Sequence, residues 1–241
     1  MPRPELDSDL LEYIVKSNFK PGDRLPTINV LQGSDHLGVS ISKVREQLEV
    51  ARALGIVEVR SKTGMKLRDY SFAPAVRLSL FYALSVNPQA FESFSALRNH
   101  IEVSFWHEAC ALLTDADSQA MRDTIAAARA KLSPRNGHIH IPNEEHRAFH
   151  LRVFSHLDNP FVMGILEAYW DAYEAVESSR YADYAYHTKV WDYHERILEA
   201  ICAGDYDHAQ QLFIEHTTLR HLQHPSVNGS TDGAVDGNGN D

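Results

Sequence analysis

The chain has 241 residues, 44% of them hydrophobic, and its 33 acidic against 23 basic side chains give a formal net charge of −10. This length allows one large core or two modest ones, and the acidic balance excludes a uniformly basic nucleic-acid coat. The longest apolar runs, such as "LSLFYALSV" at 78–86, are too short to span a bilayer, and "MPRPELDSDL" lacks a charged-then-apolar leader, so a cytoplasmic protein with no membrane partner is expected.

The charge is unevenly spread. Residues 1–70 carry 11 Lys+Arg against 10 Asp+Glu, whereas residues 71–241 carry 12 against 23. A small near-neutral unit over 1–70 therefore precedes a larger acidic one. In the first unit Leu6, Leu10 and Ile14 recur every four residues, as on one helix face, and "KPGDRLP" at 20–26 then ends that helix. A second helix is expected over 27–37. A third begins after "LGVS", with Ser40 as N-cap and Val44, Leu48, Ala51 and Leu54 on its buried face. "IVEVRSKTGMKL" at 56–67 reads as a β-hairpin with Gly64 near its tip. Three helices and a hairpin in this order make a winged helix-turn-helix.

From about residue 73 onward every segment reads as helical, over 74–86, 90–112, 116–132, 144–157, 160–180, 185–202 and 206–222. Asn143 can cap a helix whose first turn holds Glu144 and Glu145. Asn159-Pro160 starts another, and Gly204-Asp205 stops one helix and opens the next. The fold class is thus mainly α: a winged helix-turn-helix over 1–70, then an all-α bundle of six to seven helices over 71–224. The tail at 225–241 has no Leu, Ile or aromatic residue and is expected to be disordered. Cys110 and Cys202 fall in helical stretches without CxxC spacing and read as buried thiols.

In the third helix the first exposed turns hold Ile41, Ser42, Lys43 and Arg45 after the capping Ser40. Those turns enter a major groove, where Arg45 can contact guanine bidentately while Lys43 and the serines meet phosphates or base edges. The wing offers Arg60, Lys62 and Lys66 around Gly64, suited to a minor groove. One arginine on a wet helix face would mean little; the ordered combination of turns, helix and basic wing is far more specific. "PGDRLP", "LGVS", "VREQL" and "LGIVEVRSKTG" resemble the N-terminal domain of the GntR family of bacterial transcription regulators, and the helical remainder resembles the ligand-sensing domain of its FadR-type (FCD) branch. The resemblance spans residues 8 to about 222. Two departures stand out. The family's Ser-Glu-Arg after "LP", whose arginine touches DNA, is Thr27-Ile28-Asn29 here, and the arginine usual after "GVS" is Ile41. The operator is therefore expected to differ from the usual family consensus.

His146 and His150 lie four apart, so both rings project from one helix face. This spacing suits two ligands of one metal ion, though among 14 histidines some such pair arises by chance. His194 and His216 sit ten residues before and twelve after Gly204, so an antiparallel helix pair brings them side by side. Metal-binding FadR-type domains use an Asp-x3-His pair and one histidine from each of two later helices. The resemblance implies the same roles for His150, His194 and His216, with His146 where the family has aspartate. The neighbouring Glu145 points about 100° away and ranks behind it. Four imidazoles favour a divalent transition metal such as zinc or nickel. The loop histidines His138 and His140 read as exposed. His156, His187, His208, His221 and His224 lack matching partners, while the helix of His100 and His107 lines the expected pocket.

Arg98 and Glu102 lie one helical turn apart, a spacing that by itself suggests a surface ion pair. The resemblance implies instead that Arg98 lies near the metal and that the effector is a small carboxylate. Trp106, Trp170 and Tyr173 could close the pocket, though each reads first as plain core. The function implied is a homodimeric repressor that binds operator DNA and is controlled by an organic acid effector, and is not an enzyme. Two alternatives stay open: a regulator for which the metal itself is the signal, and a metal-dependent hydrolase with Glu145 or Glu195 as general base.

Overall fold

A computed structural model describes residues 3–133, 140–177 and 184–223. The tail at 225–241, His138, His224 and the side chain of His221 lie outside the described residues.

Helix α1 (Asp9–Lys16) starts where Ser8 Oγ accepts from Leu11 N–H, and it buries Leu10 and Ile14. Helix α2 (Ile28–Leu31) is one turn long, much shorter than the expected 27–37. The reason lies in "QGSDHLG": Gly33 and Gly38 bracket a loop closed by Gly38 N–H to Gly33 O and Leu37 N–H to Leu31 O, which satisfies the backbone without helix. Helix α3 (Ile41–Ala53) is capped by Ser40, whose Oγ accepts from Lys43 N–H, and it buries Val44, Leu48 and Ala51; Leu54 falls at its half-buried C-cap. Strands β1 (Val57–Arg60) and β2 (Gly64–Leu67) pair antiparallel in the register Val57↔Leu67 to Arg60↔Gly64. Residues 22–25 add a third edge, since Leu25 N–H donates to Met65 O and Leu67 N–H to Asp23 O. Leu10, Leu25, Leu31, Val44, Val57 and Met65 close one small core. The unit is a winged helix-turn-helix.

Among the described residues seven helices follow: α4 (Ala73–Val86), α5 (Ala90–Ala111), α6 (Asp115–Leu132), α7 (Asn143–Val153), α8 (Pro160–Glu177), α9 (Tyr184–Cys202) and α10 (Tyr206–Gln223). Local chemistry sets their ends. Thr114 and Asp117 form a reciprocal capping box on α6. Asn159 Oδ1 accepts from Phe161 and Val162 N–H at the start of α8. Gly204, at φ +75°, ends α9, and Asp205 Oδ1 accepts from His208 N–H to open α10. Asn143 departs from expectation: it is the first helical residue, and Pro142 holds the cap position without a side-chain bond. The bundle buries Trp106, Met121, Phe149, Phe154, Leu166, Trp191 and Phe213 in one cluster, each such side chain contributing about 1.5–3 kcal/mol. A second cluster joins Leu80 and Phe91 to Tyr169 and Trp170. Cys110 is buried, its thiol pushed up to about 12 by burial, whereas Cys202, on the last turn of α9, is exposed. Among the described residues no helix is long and apolar enough to cross a membrane.

The joint between the two units is tight. A Cβ on Gly164 of α8 would lie 2.6 Å from Phe72 Cβ and 2.7 Å from Ala73 N. Phe161 stacks edgewise on Tyr70 and Phe72, at centroid distances of 6.1 and 5.3 Å. Gly55, at φ +72°, leaves room for Pro74, whose Cγ would be 2.6 Å from an added Cβ.

Candidate metal centre

Three helices converge on one point. Helix α7 carries His146 and His150 one turn apart, α9 carries His194 and α10 carries His216. One ring nitrogen from each lies within 4.8 Å of all the others. His150 Nε2 is 3.2 Å from His194 Nε2 and 3.3 Å from His216 Nε2. Tetrahedral ligands at about 2.0–2.1 Å from an ion stand roughly 3.3 Å from one another, so these separations fit. His150, His194 and His216 are buried; His146 is partly buried, but its Nε2 is enclosed and lacks a hydrogen-bond partner among the described residues. The Nδ1 atoms of His194 and His216 are likewise enclosed and unpartnered.

Burial drives the acid–base chemistry of this cluster. It holds His146, His150 and His194 well below the ordinary imidazole value, with further lowering from neighbouring histidines and the Arg98 guanidinium. His216 is pushed down to about 3 by burial and then by Arg98. All four are therefore neutral near pH 7, the form that ligates metal. His187, buried on the same helix as His194, adds its field at His146.

Arg98 and Glu102 are not a surface pair: they are 5% and 0% exposed. Arg98 Nε lies 2.5 Å from Glu102 Oε2, and Arg98 Nη2 donates to His150 Nδ1 at 2.7 Å. The guanidinium faces the rings of Tyr169, Trp170 and Phe213 at 4.7, 5.3 and 5.8 Å. Burial raises the Glu102 carboxyl to about 7, against the lowering pull of Arg98. Beside the histidines is a cavity of about 30 Å3, walled by Arg98, Asn99, His146, Trp170, Tyr173 and Thr217 among others, room for a water molecule or two. Trp170 and Tyr173 thus line it, whereas Trp106 packs in the core against Phe213 at 4.7 Å. Ser95, Asn99, Tyr169, Tyr186 and Thr217 were not singled out from sequence. Ser95 shares a helix face with Arg98 and Thr217 follows His216, but Tyr169 reads as plain core and Tyr186 carries no signal.

His100 and His107 do not reach the cavity. Both are exposed, His100 bonding Ala96 O and His107 Nε2 donating to Asp207 Oδ1. His156 Nε2 donates to Asp117, and His140 and His208 are exposed. The two candidate general bases are tied elsewhere: Glu145 to Lys131 at 2.7 Å and Glu195 to Arg129 at 3.1 Å.

In the winged unit Ser42, Lys43 and Arg45 are exposed on the first turns of α3, and Ile41 is half-buried. Lys43 reaches Glu46 at 3.5 Å and Arg60 is held by Glu58 at 2.6 Å, while Arg45 and Lys62 have no ion-pair partner among the described residues. Gly64 takes φ +75° as the wing turn re-enters β2.

A winged helix-turn-helix in front of an all-helical domain is the architecture of DNA-binding transcription regulators, and the comparisons with known proteins agree. Residues 93–219 match the FCD domain family. The chain belongs to the GntR family of transcription regulators, in its FCD branch. The HTH-type transcriptional regulator LutR of Bacillus subtilis (strain 168) is 24% identical over 213 residues, covering 85% of this chain and 93% of LutR. The uncharacterized HTH-type transcriptional regulator YieP of Escherichia coli (strain K12) is 25% identical over 210 residues, covering 85% and 87%. The solved structure of a Streptococcus agalactiae GntR shares the fold, with a TM-score of 0.59 over 89% of this chain and 96% of that one at 17% identity.

Proposed function

We propose that the protein is a repressor that binds its operator as a homodimer and releases it when a small organic acid binds beside a metal ion held by His146, His150, His194 and His216. The observation that carries this reading is the group of four neutral, enclosed imidazoles next to a buried arginine. No carboxylate belongs to the set, so a borderline ion such as zinc or nickel suits it better than a hard one. A divalent ion bound there supplies a Lewis-acid charge for an anionic ligand. Arg98 supplies the second charge, and its planar fork matches a carboxylate. The aromatic rings around Arg98 keep the guanidinium dry and therefore strong toward an anion.

In this reading residues 1–70 read DNA through Ser40, Ile41, Ser42, Lys43, Arg45, Arg60, Lys62 and Gly64, and residues 71–224 sense the acid. The seat of Tyr70 and Phe72 on α8 links the two. Dimerisation is supported by α4, where Leu78, Tyr82 and Val86 stand exposed beside a groove lined by Val76, Leu80, Phe94 and Leu97, an apolar face of the kind that marks an interface.

The experiment is metal analysis and native mass spectrometry of the purified protein, followed by DNA binding with a selected operator, with and without chelator and with a panel of small acids. A dimer with one metal per subunit whose DNA affinity falls only on adding an acid supports the reading. A response to chelator alone makes the metal itself the signal. Metal-free protein with unimpaired acid response removes the histidines from the mechanism.

A further inference from the structure

The wing sheet has two faces of opposite character. Arg24 pairs with Lys66 in an antiparallel bridge, and Lys66 pairs in turn with Glu58 across β1 and β2. Directly opposed residues share a sheet face with Cβ atoms about 4.5–5.5 Å apart, and alternate residues share it along a strand. Arg24, Lys66, Glu58 and Arg60 therefore stand on one side, and Arg68, whose N–H donates to Ile56 O at 2.9 Å, extends the row. Leu25, Val57 and Met65 fill the core on the other side.

This outer face holds four cations and one carboxylate in a chain of net charge −10. The carboxylate is already taken, because Arg60 Nη2 lies 2.6 Å from Glu58. Arg24, Lys66 and Arg68 have no ion-pair partner among the described residues. Like charges directly opposed on a sheet repel, and an anion lying across them turns that cost into binding.

The pairing also fixes where this row lies relative to the wing turn. Residues 22–25 run antiparallel to β2, hence toward the wing turn at 61–63, and the chain then passes to Thr27 at the cap of α2. At 3.3–3.4 Å per residue, Lys66 and the opposed Arg24 lie about 7 Å back from Gly64, within the reach of side chains of their length. We infer that Arg24 and Lys66, continued by Arg68, form a second phosphate-binding track that grips the DNA backbone beside the wing turn, outside the groove entered by α3. The inference rests on the DNA-binding reading of the winged unit. The track positions the protein and adds affinity without reading bases.

The test is fluorescence anisotropy with a random-sequence duplex and with the selected operator, titrated between roughly 50 and 200 mM salt. R24A/K66A is expected to reduce the magnitude of the log K against log salt slope by about 0.9 per lost contact, close to 1.8 per subunit. R24K/K66R keeps the slope, and the ratio of operator to random affinity stays unchanged, whereas R45A lowers that ratio. If R24A/K66A melts early, R24E on the exposed edge carries the same test. An unchanged slope in a variant that melts like the wild type overturns the track while leaving the DNA-binding reading intact. Wild-type protein that binds neither duplex at the low-salt end overturns both.

Discussion

His150 on α7 and His194 on α9 bring their Nε2 atoms to 3.2 Å from each other with no acid between them. Two neutral imidazoles facing nitrogen to nitrogen either share one proton in a hydrogen bond or hold one ion between them, and metal titration tells the two apart. Alanine at His150, His194 or His216 is expected to abolish stoichiometric zinc binding in a competition titration. H146D is expected to keep the stoichiometry and shift preference toward harder ions such as manganese, because a carboxylate then joins three imidazoles.

The same histidines make the chelator-treated protein acid-sensitive. Their folded-state values are depressed, so the unfolded chain takes up protons first. Stability is full above about 6.5, the unfolded value, and falls as pH drops from there toward the folded value, which for His216 is about 3. Melting temperature followed downward from pH 7.5 should decline early, and more shallowly in H216N. A flat profile to pH 5 contradicts the depressed values.

Arg98 and Glu102 should behave as a unit. R98A leaves a fully buried carboxyl without its cation and is expected to cost about 3–5 kcal/mol in denaturant unfolding. R98A/E102Q should recover much of that loss. A loss in R98A/E102Q equal to the sum of the R98A and E102Q losses would mean that the two side chains contribute independently.

Arg45 is exposed in the second turn of α3 and free of ion pairs among the described residues. R45A is expected to cost about 1–3 kcal/mol at the operator and to relax preference at one base pair. A selection repeated with R45A should return a site degenerate at that position alone.

Gly164 admits no Cβ without movement of Phe72 or Ala73. G164A is expected to destabilise by about 1–3 kcal/mol, lowering the melting temperature by roughly 2–4 °C per kcal/mol for a chain of this size. Zinc binding should survive, because the histidines lie on α7, α9 and α10.

Much of this architecture is legible in the residues, because period and punctuation agree. Leu10 and Ile14, Val44 and Leu48, and the Asn159-Pro160 and Gly204-Asp205 boundaries are local signals, and local physics decides them. The second helix is shorter than its residues suggest because two glycines let a hydrogen-bonded loop compete with helix over 33–38. At the candidate site the histidines stand out through spacing, and so does the turn between Arg98 and Glu102. Their burial does not, since an i,i+4 Arg-Glu pair looks the same on a wet face as in a dry one. Tyr169 and Tyr186 line the cavity through the packing of α8 against α5 and of α9 against α10, a relation no single helix encodes. The pairing of Arg24 with Lys66 is equally non-local, being set by strand register 42 residues apart in the chain.

Helix α8 holds the linker with Phe161 and Gly164 at its start, and farther along it walls the cavity with Tyr169, Trp170 and Tyr173. Gly164 and Trp170 are about 9 Å apart along the axis, with neither glycine nor proline between them. The cavity wall and the seat of the linker thus share one continuous helix, so the packing of Trp170 and that of Phe72 draw on the same backbone.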